Sequence, residues 1–227
     1  MLLMTAERTG RSLEMPVRSP LDEAMFALFR RLSAWRGLRI FHPRGAAYRA
    51  LFHAAANGPD AEMFADGSEH EALVRLSRGV GFRPPLPDVL GLAIRLPDAY
   101  GPAAHQDFLL ASSGSGVLGR RLLRPTIMSP ADFYSSLLPY EFGGRRLFVG
   151  ARPKVSGSTT AFEVVVASPN GRWRAVGALR LARRLDDSVA RELRFDPWNS
   201  GGGIVPVGLA NRLRAAAYRG SRRGSAV

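Results

Sequence analysis

The segment Ala161–Leu181, with the sequence AFEVVVASPNGRWRAVGALRL, is the part of the chain that decides the fold. Its two apolar runs, 161–166 and 173–181, alternate in the manner of β-strands that have one buried face. Pro169-Asn-Gly171 stands between the runs and is a turn signal, because asparagine and glycine tolerate the backbone conformations of tight turns. The segment therefore predicts an antiparallel β-hairpin.

Further strands and several helices are predicted on either side of this hairpin. Short alternating runs bounded by proline and glycine predict strands at 92–96, 108–111 and 146–149. Helical spacing of apolar residues predicts helices at 21–36, about 46–56, 129–138 and about 209–219. Together they favour an α+β fold, an antiparallel β-barrel with packed helices. Residues 1–20 are expected to be a mobile arm, and 21–227 a single domain.

The chain is strongly basic and contains no cysteine. Its 227 residues carry a formal net charge of +13, and Lys154 is the only lysine, so arginine supplies the charge. This excess fits coding bias, a nucleic acid, an anionic membrane or a ligand with buried carboxylates. The arginines are spread along the chain without a nucleic-acid-binding motif, which argues against a specific nucleic-acid partner. The lack of cysteine excludes disulfides, thiolate metal sites and cysteine nucleophiles.

Targeting signals are not evident in the sequence. No apolar run approaches the ~20 residues of a transmembrane helix, and the N-terminus lacks the apolar core of a signal peptide. The sequence therefore predicts a soluble, cytoplasmic protein and leaves room for peripheral contact with a membrane. It does not determine the oligomeric state.

Tyr218 stands between two arginines near the end of the chain. Arg214 precedes it by four residues and Arg222 follows it by four, so the three side chains share one face of the predicted helix. A guanidinium beside a phenol favours the phenolate, which is a hard anionic ligand suited to ferric iron. On this spacing alone, the alternative is a packing tyrosine on a basic helix.

Two segments of the chain resemble the haem-binding segments of the catalases. The first is Arg39-Ile-Phe-His-Pro-Arg-Gly-Ala-Ala47, which is similar to the catalase segment that carries the distal histidine. The second is Arg214–Tyr218, since Arg-x-x-x-Tyr supplies the tyrosine ligand in that family. Arg75-Leu-Ser77 resembles a third catalase pattern, in which the arginine binds a haem propionate and the serine hydrogen-bonds the distal histidine.

Three more segments follow in the order that the catalases use. They are Asp88–Arg95, Asp107–Ser113 and Phe195–Pro197. Two departures accompany them. Ser112 stands where the family has a distal asparagine, and Ser225 stands where it has a later arginine, which leaves Arg222 or Arg223 for that role.

The resemblance implies a minimal catalase-related haem peroxidase with a catalase-like core. The cofactor would be ferric haem b, and the reaction would cleave the O–O bond of an organic or lipid hydroperoxide or of hydrogen peroxide. The resemblance implies that Tyr218, assisted by Arg214, is the iron ligand and that His42 is the distal acid–base group. Ser77 and Ser112 would form hydrogen bonds on the distal side. The propionates would be bound by Arg39, Arg75 and Arg222. Two alternatives remain: a haem-free pseudo-enzyme or lipid-binding module with the same fold, and a basic protein that binds nucleic acid or anionic lipid.

Overall fold

In the residues that the structure describes, the architecture is a sheet of antiparallel strands with very little helix. A computed structural model describes residues 44–55, 58–59, 64, 67–79, 82–83, 85–156 and 159–207. The strands in these residues are β1 (Arg44–Ala54), β2 (Glu69–Arg78), β3 (Leu90–Leu96), β4 (Gln106–Ser112), β5 (Tyr134–Ser135), β6 (Tyr140–Phe142), β7 (Arg145–Ser156), β8 (Thr159–Ala167), β9 (Arg174–Arg184) and β10 (Ile204–Pro206).

Eight of these strands close into a barrel. The hydrogen-bonded order is β1-β2-β3-β4-β5-β7-β8-β9, every neighbouring pair is antiparallel, and β9 pairs with β1 to complete the ring. Strands β6 and β10 continue the sheet beside the first residues of β7. Because the ring is closed, each of its strands has a hydrogen-bonded neighbour on both sides.

The hairpin predicted at 161–181 is confirmed as β8 and β9. Phe162 pairs with Leu179, and the turn is closed by a hydrogen bond of 3.0 Å from the Gly171 amide to the Ser168 carbonyl. The register shifts between Val164 and Val165, which marks a β-bulge. A bulge increases the local bend and twist of a strand, and both are needed where a sheet curls into a barrel.

The expectation of an α+β fold with packed helices is wrong. The described residues contain one α-helix, α1 (Asp187–Glu192), and one 3-10 helix (Gly119–Arg121). The helix predicted at 46–56 is strand β1, where Ala50, Phe52 and Ala54 point into the core with a period of two. Its alanines favoured a helix by composition, but the alternation of buried positions fits a strand.

The helix predicted at 129–138 is also wrong. Strand β5 (Tyr134–Ser135) lies there instead and bridges β4 to β7. The serine and proline at the start of this segment are a helix-start signal, but pairing on both sides gives its backbone better partners than an isolated turn. The helices predicted at 21–36 and 209–219, and the arm at 1–20, lie outside the described residues.

The barrel interior is filled by aromatic and branched side chains. Phe52 packs edge-on against Phe64 at 5.8 Å between ring centroids, Phe108 against Tyr140 at 5.5 Å, and Tyr134 against Phe162 at 6.0 Å. A small apolar gap remains between Phe52, Phe64, Ile94, Leu96, Phe108 and Val164. Since the described interior is packed, a ligand of the size of a haem fits only on the outside of the ring.

The segment between β4 and β5 packs against the outside of the barrel through a buried arginine. Arg120 is only 2% exposed, and its guanidinium donates to the carbonyls of Ser168 (3.0 Å) and Gly171 (2.8 Å). It lies 4.6 Å from the ring centre of Trp173, whose indole N–H donates to the Ser115 carbonyl at 2.6 Å. Burial lowers the pKa of Arg120, and the charge of Arg121 lowers it further.

Replacing Gly177 with alanine should destabilise the barrel. A Cβ at this position would lie 2.5 Å from Cε2 of Phe52 and 2.6 Å from the His53 carbonyl oxygen, and the backbone oxygen cannot move aside. We expect a loss of about 2 kcal/mol in the free energy of unfolding, measured by urea denaturation. Gly116→Ala is the matched control, because a Cβ there meets nothing within 4 Å. Equal stability of the two variants would contradict the packing described for β1 and β9.

Candidate functional site

Four small residues line up across the outside of strands β1 to β4. Ser77 on β2 pairs with Gly45 on β1 and Gly91 on β3, and Gly91 pairs with Ala111 on β4. Their neighbours Leu76, Leu92 and Leu110 pack in or against the barrel core, so alternation places Gly45, Ser77, Gly91 and Ala111 on the outer face. We call these four residues the small-residue row. With so little side-chain bulk, a flat group can approach the sheet closely at this row.

Gly45 is required by the way in which β1 meets β2. A Cβ on Gly45 would lie 2.6 Å from the Leu76 carbonyl oxygen and 3.0 Å from Cβ of Ser77. The contact with the backbone oxygen is shorter than a Cβ tolerates, so glycine is required here. The glycine that the sequence shares with the catalase distal segment is therefore explained by strand packing at the edge of the site.

Arg75 places a partly buried positive charge on the same outer face, two residues before Ser77. It pairs in register with Ala47 and Ala93, and its guanidinium donates to the Ala190 carbonyl of α1 at 3.1 Å. Burial lowers the pKa of Arg75, and the nearby charge of Arg194 lowers it further. Two arginines that repel each other at a partly desolvated surface favour the binding of an anion.

Ser77 makes only a long hydrogen bond within the sheet. Its Oγ donates to the Gly91 carbonyl at 3.5 Å, the upper limit for such a bond, and the residue is 9% exposed. Such a weak bond exchanges readily for one to a better acceptor. Ser77 and Arg75 are thus brought together on one face, in agreement with their shared motif.

Ser112 lies on the opposite side of the sheet from Ser77. It alternates with Phe108 and Leu110, and its Oγ accepts from the Leu90 amide at 3.0 Å and donates to the Arg124 carbonyl at 2.7 Å. Both bonds are made at the inner side of the strand end, where they join β3 to the segment that follows β4. The structure does not bring Ser112 together with Ser77.

Ser113 is the polar residue that the sequence reasoning missed. The residue is 2% exposed, and its Oγ has no hydrogen-bond partner among the described residues. Its backbone remains extended, bridging to Leu123, so alternation places it on the outer face with Ala111. The sequence contained the signal, because side chains alternate along a strand. Phe108 and Leu110 define the inner side, so the odd-numbered residues, including Ser113, face outward. A buried hydroxyl without a partner is costly, and an ordered water, an ion or a ligand can each supply that partner.

A buried carboxylate fixes the segment that follows α1. Asp107 is fully buried and accepts from Arg95 through both of its oxygens, at 2.7 and 2.6 Å. The same carboxylate accepts from the Asp196 amide at 2.8 Å and from Nδ2 of Asn199 at 3.0 Å. The Arg95 guanidinium also lies 5.1 Å from the ring centre of Phe195. The segment Phe195–Pro197 is therefore held against the outside of β3 and β4.

The remaining predicted site residues lie outside the described residues. They are Arg39, His42, Arg214, Tyr218 and Arg222. Within the part of the chain that the structure describes, no group of three or more histidine, aspartate or glutamate side chains could hold a metal ion. What the structure provides is the outer face on which Arg75, Ser77 and Ser113 stand.

Solved structures of catalases share this architecture. A fungal catalase superposes with a TM-score of 0.59 at 11% identity, covering 95% of this chain and 65% of the catalase. A bacterial catalase gives 0.59 at 14% identity, covering 96% and 63%, and catalase A from Saccharomyces cerevisiae gives 0.63 at 12%, covering 97% and 67%. The chain spans about two thirds of the length of these catalases. Scans against known protein families and curated proteins find no match. The comparison shows that the chain has a catalase-like fold.

Replacing Asp107 with asparagine should strongly destabilise the protein. The change leaves the charge of Arg95, whose side chain is 13% exposed, without its bidentate partner and weakens the bonds to Asp196 and Asn199. We expect a loss of about 3–5 kcal/mol in the free energy of unfolding by urea denaturation. Glu71→Gln is the control, since Glu71 is exposed and lies 3.7 Å from Arg49; it should cost less than about 1 kcal/mol. A similar cost for both variants would show that the Asp107 network does not stabilise the fold.

Proposed function

We propose that this protein binds haem b against the outer face of β1 to β4 and uses it to cleave the O–O bond of hydroperoxides, either by rearrangement or by reduction with electrons from an external one-electron donor. The observation that carries the proposal is the buried Ser113 hydroxyl, which lacks a partner among the described residues and faces the side that also carries Arg75 and Ser77. The catalase-like fold supports the choice of cofactor. The filled barrel interior supports the choice of the outer face.

The described residues fit the edge and distal side of a haem. The small-residue row offers a flat surface, and Arg75 with Arg194 offers positive charge for a propionate. Arg39 and Arg222 are proposed as further propionate-binding residues, and Tyr218, next to Arg214, as the iron ligand. When bound, the haem supplies the redox chemistry of O–O cleavage, and the protein supplies binding and hydrogen bonds.

The chain's own residues would position and move a proton. His42 is proposed to accept a proton from the hydroperoxide and return it to the departing oxygen. Ser77 can exchange its long bond to the Gly91 carbonyl for one to an imidazole nitrogen, which would fix the histidine tautomer. We propose Ser113, rather than Ser112, as the second distal donor, because both bonds of Ser112 hold the strand end.

Haem titration of the purified chain tests the proposal. The parent protein should develop a Soret band that survives gel filtration, and Tyr218→Phe should lose it while circular dichroism remains unchanged. The physical reason is that phenylalanine keeps the ring and removes only the ligand oxygen. An unchanged spectrum in Tyr218→Phe would remove Tyr218 as the ligand.

A second pair of variants tests whether the haem binds on the outer face. Arg75→Leu should raise the Kd for haem about tenfold through loss of a charge-assisted bond. Arg180→Leu, at an exposed position on β9, should leave the Kd unchanged. If the folded parent bound no haem at all, the haem-free alternative would replace the proposal.

The two neighbouring serines should respond in opposite ways to alanine. Ser112→Ala removes two buried bonds and should cost about 1–3 kcal/mol in the free energy of unfolding. Ser113→Ala removes no bond to a described residue and should leave stability nearly unchanged, but it should slow hydroperoxide consumption by about tenfold or more. Urea denaturation and a peroxidase assay on the haem-loaded proteins give the two readouts. Normal turnover in Ser113→Ala would exclude Ser113 as a distal donor.

A further inference from the structure

Four large apolar side chains that project into solvent lie on two loops at one end of the barrel, and the second loop also exposes Val117, Leu118 and Leu122. Phe82 and Leu86, between β2 and β3, are 45% and 55% exposed, and Ile127 and Met128, between β4 and β5, are 62% and 56% exposed. We call these four residues the apolar rim. Single exposed apolar residues are ordinary on a protein surface, but a group of large ones on adjacent loops marks an interaction site.

Backbone hydrogen bonds hold the two loops side by side. The Asp88 amide donates to the Thr126 carbonyl at 3.0 Å, and the Thr126 amide donates back to the Asp88 carbonyl at 2.9 Å. The loop before β3 is further fixed by Arg78, which donates to the carbonyls of Phe82 (2.8 Å) and Leu86 (2.9 Å). The Phe82 amide donates to the buried Asp88 carboxylate at 3.0 Å. Hydrogen bonds therefore join the described residues of the two loops to each other and to β2.

Two exposed arginines lie on the loops of the rim. Arg83 is exposed beside Phe82, and the Arg124 side chain is 63% exposed on the segment that carries Ile127 and Met128. Two carboxylates lie in these loops, and the first, Asp88, is buried and lies 3.7 Å from Arg78. The second, Asp132, is 58% exposed and lies 3.8 Å from Arg124. The loops thus present apolar tips in a setting of excess positive charge, on a chain whose net charge is +13.

We infer that the apolar rim docks the protein onto a bilayer that contains anionic phospholipid. Apolar side chains that enter the acyl boundary, with arginines at the level of the headgroups, are the two elements of peripheral membrane binding. A nucleic acid would use the arginines but not bury Leu86, Ile127 and Met128. No helix in the described ranges is long and apolar enough to span a membrane, and the contact inferred here needs none.

The rim lies at the end of the barrel where Ser77 and Ser113 stand. Strand β2 ends at Arg78, one residue after Ser77, and β4 ends at Ser112, immediately before Ser113. A protein docked by this rim would bring that end of its outer face close to the lipid. The docking itself does not rest on the proposed function, since it involves only the surface loops.

A single labelled cysteine tests the docking directly, because the chain contains no other cysteine. Met128→Cys, carrying an environment-sensitive fluorophore and prepared without haem, is mixed with vesicles of phosphatidylcholine or of phosphatidylcholine with phosphatidylglycerol. We expect a blue shift with the anionic vesicles that added salt weakens. Val205→Cys, at an exposed apolar position on β10, is the control and should not shift.

Vesicle flotation of unlabelled variants measures how much each residue contributes to membrane binding. Ile127→Ser should weaken binding about tenfold and Arg83→Gln about fivefold, whereas Val205→Ser and Arg180→Gln should match the parent. Thermal unfolding confirms that each variant is folded.

Three results would overturn the inference. The first is that the parent binds neutral and anionic vesicles equally or binds neither. The second is that the label at position 128 already emits at the blue-shifted wavelength before lipid is added. The third is that Ile127→Ser binds anionic vesicles as tightly as the parent. The second result would mean that another part of the chain or a second copy already covers the rim, and sedimentation velocity would distinguish these two. Because the haem titration uses no vesicles, failure here is separable from failure of the proposed function.

Discussion

Closure of the sheet between β9 and β1 is the constraint on which the rest of the structure depends. Once the ring is complete, Phe52, Phe108 and Phe162 pack in its described interior around a small apolar gap. Polar chemistry is therefore displaced to the outer face and to the strand ends. The small-residue row exists because β1, β2, β3 and β4 are neighbours in this ring, in a register that places Gly45, Ser77, Gly91 and Ala111 side by side.

Charged groups are used sparingly in the interior of the fold and are well satisfied there. Asp107 accepts hydrogen bonds from a guanidinium, a backbone amide and a side-chain amide. These four bonds offset the free-energy cost of removing the carboxylate from water. Arg120 is satisfied by carbonyl oxygens and aromatic rings. In both cases the buried ion joins an irregular segment to the barrel, and it determines the path of the chain more than it adds to net stability.

Local patterns in the sequence predicted the hairpin correctly but predicted helices where strands β1 and β5 lie. The hairpin of β8 and β9 followed from alternation and a turn dipeptide, because both act between residues close in sequence. Strand β1 was mistaken for a helix, since its alanines favour helix while its true partners, Glu69 to Arg78 and Gly177 to Arg184, lie far along the chain. Long-range pairing decides such cases, and a single sequence does not display it.

The candidate site shows the same limit. Arg75 and Ser77 were paired by a family motif, and the structure places both on one face because residues two apart on a strand share it; their roles remain predictions. The motif position favoured Ser112 over Ser113 as the distal hydrogen-bonding residue, although the alternation of side chains along β4 places Ser113 on the outer face. The contact of Asp107 with Asp196 spans 89 residues and had no sequence signal. His42 and Tyr218 remain predictions, since they lie outside the described residues.

The seating of the segment 114–121 against the barrel has an optical consequence. The indole of Trp173 is held between the Arg120 guanidinium, 4.6 Å from its ring centre, and the Phe133 ring, 5.0 Å away, with its N–H bonded to Ser115. A tryptophan fixed in such an asymmetric environment contributes a sharp near-ultraviolet dichroism band. The chain therefore carries an intrinsic reporter of this one segment, which distinguishes its local detachment from the melting of the barrel.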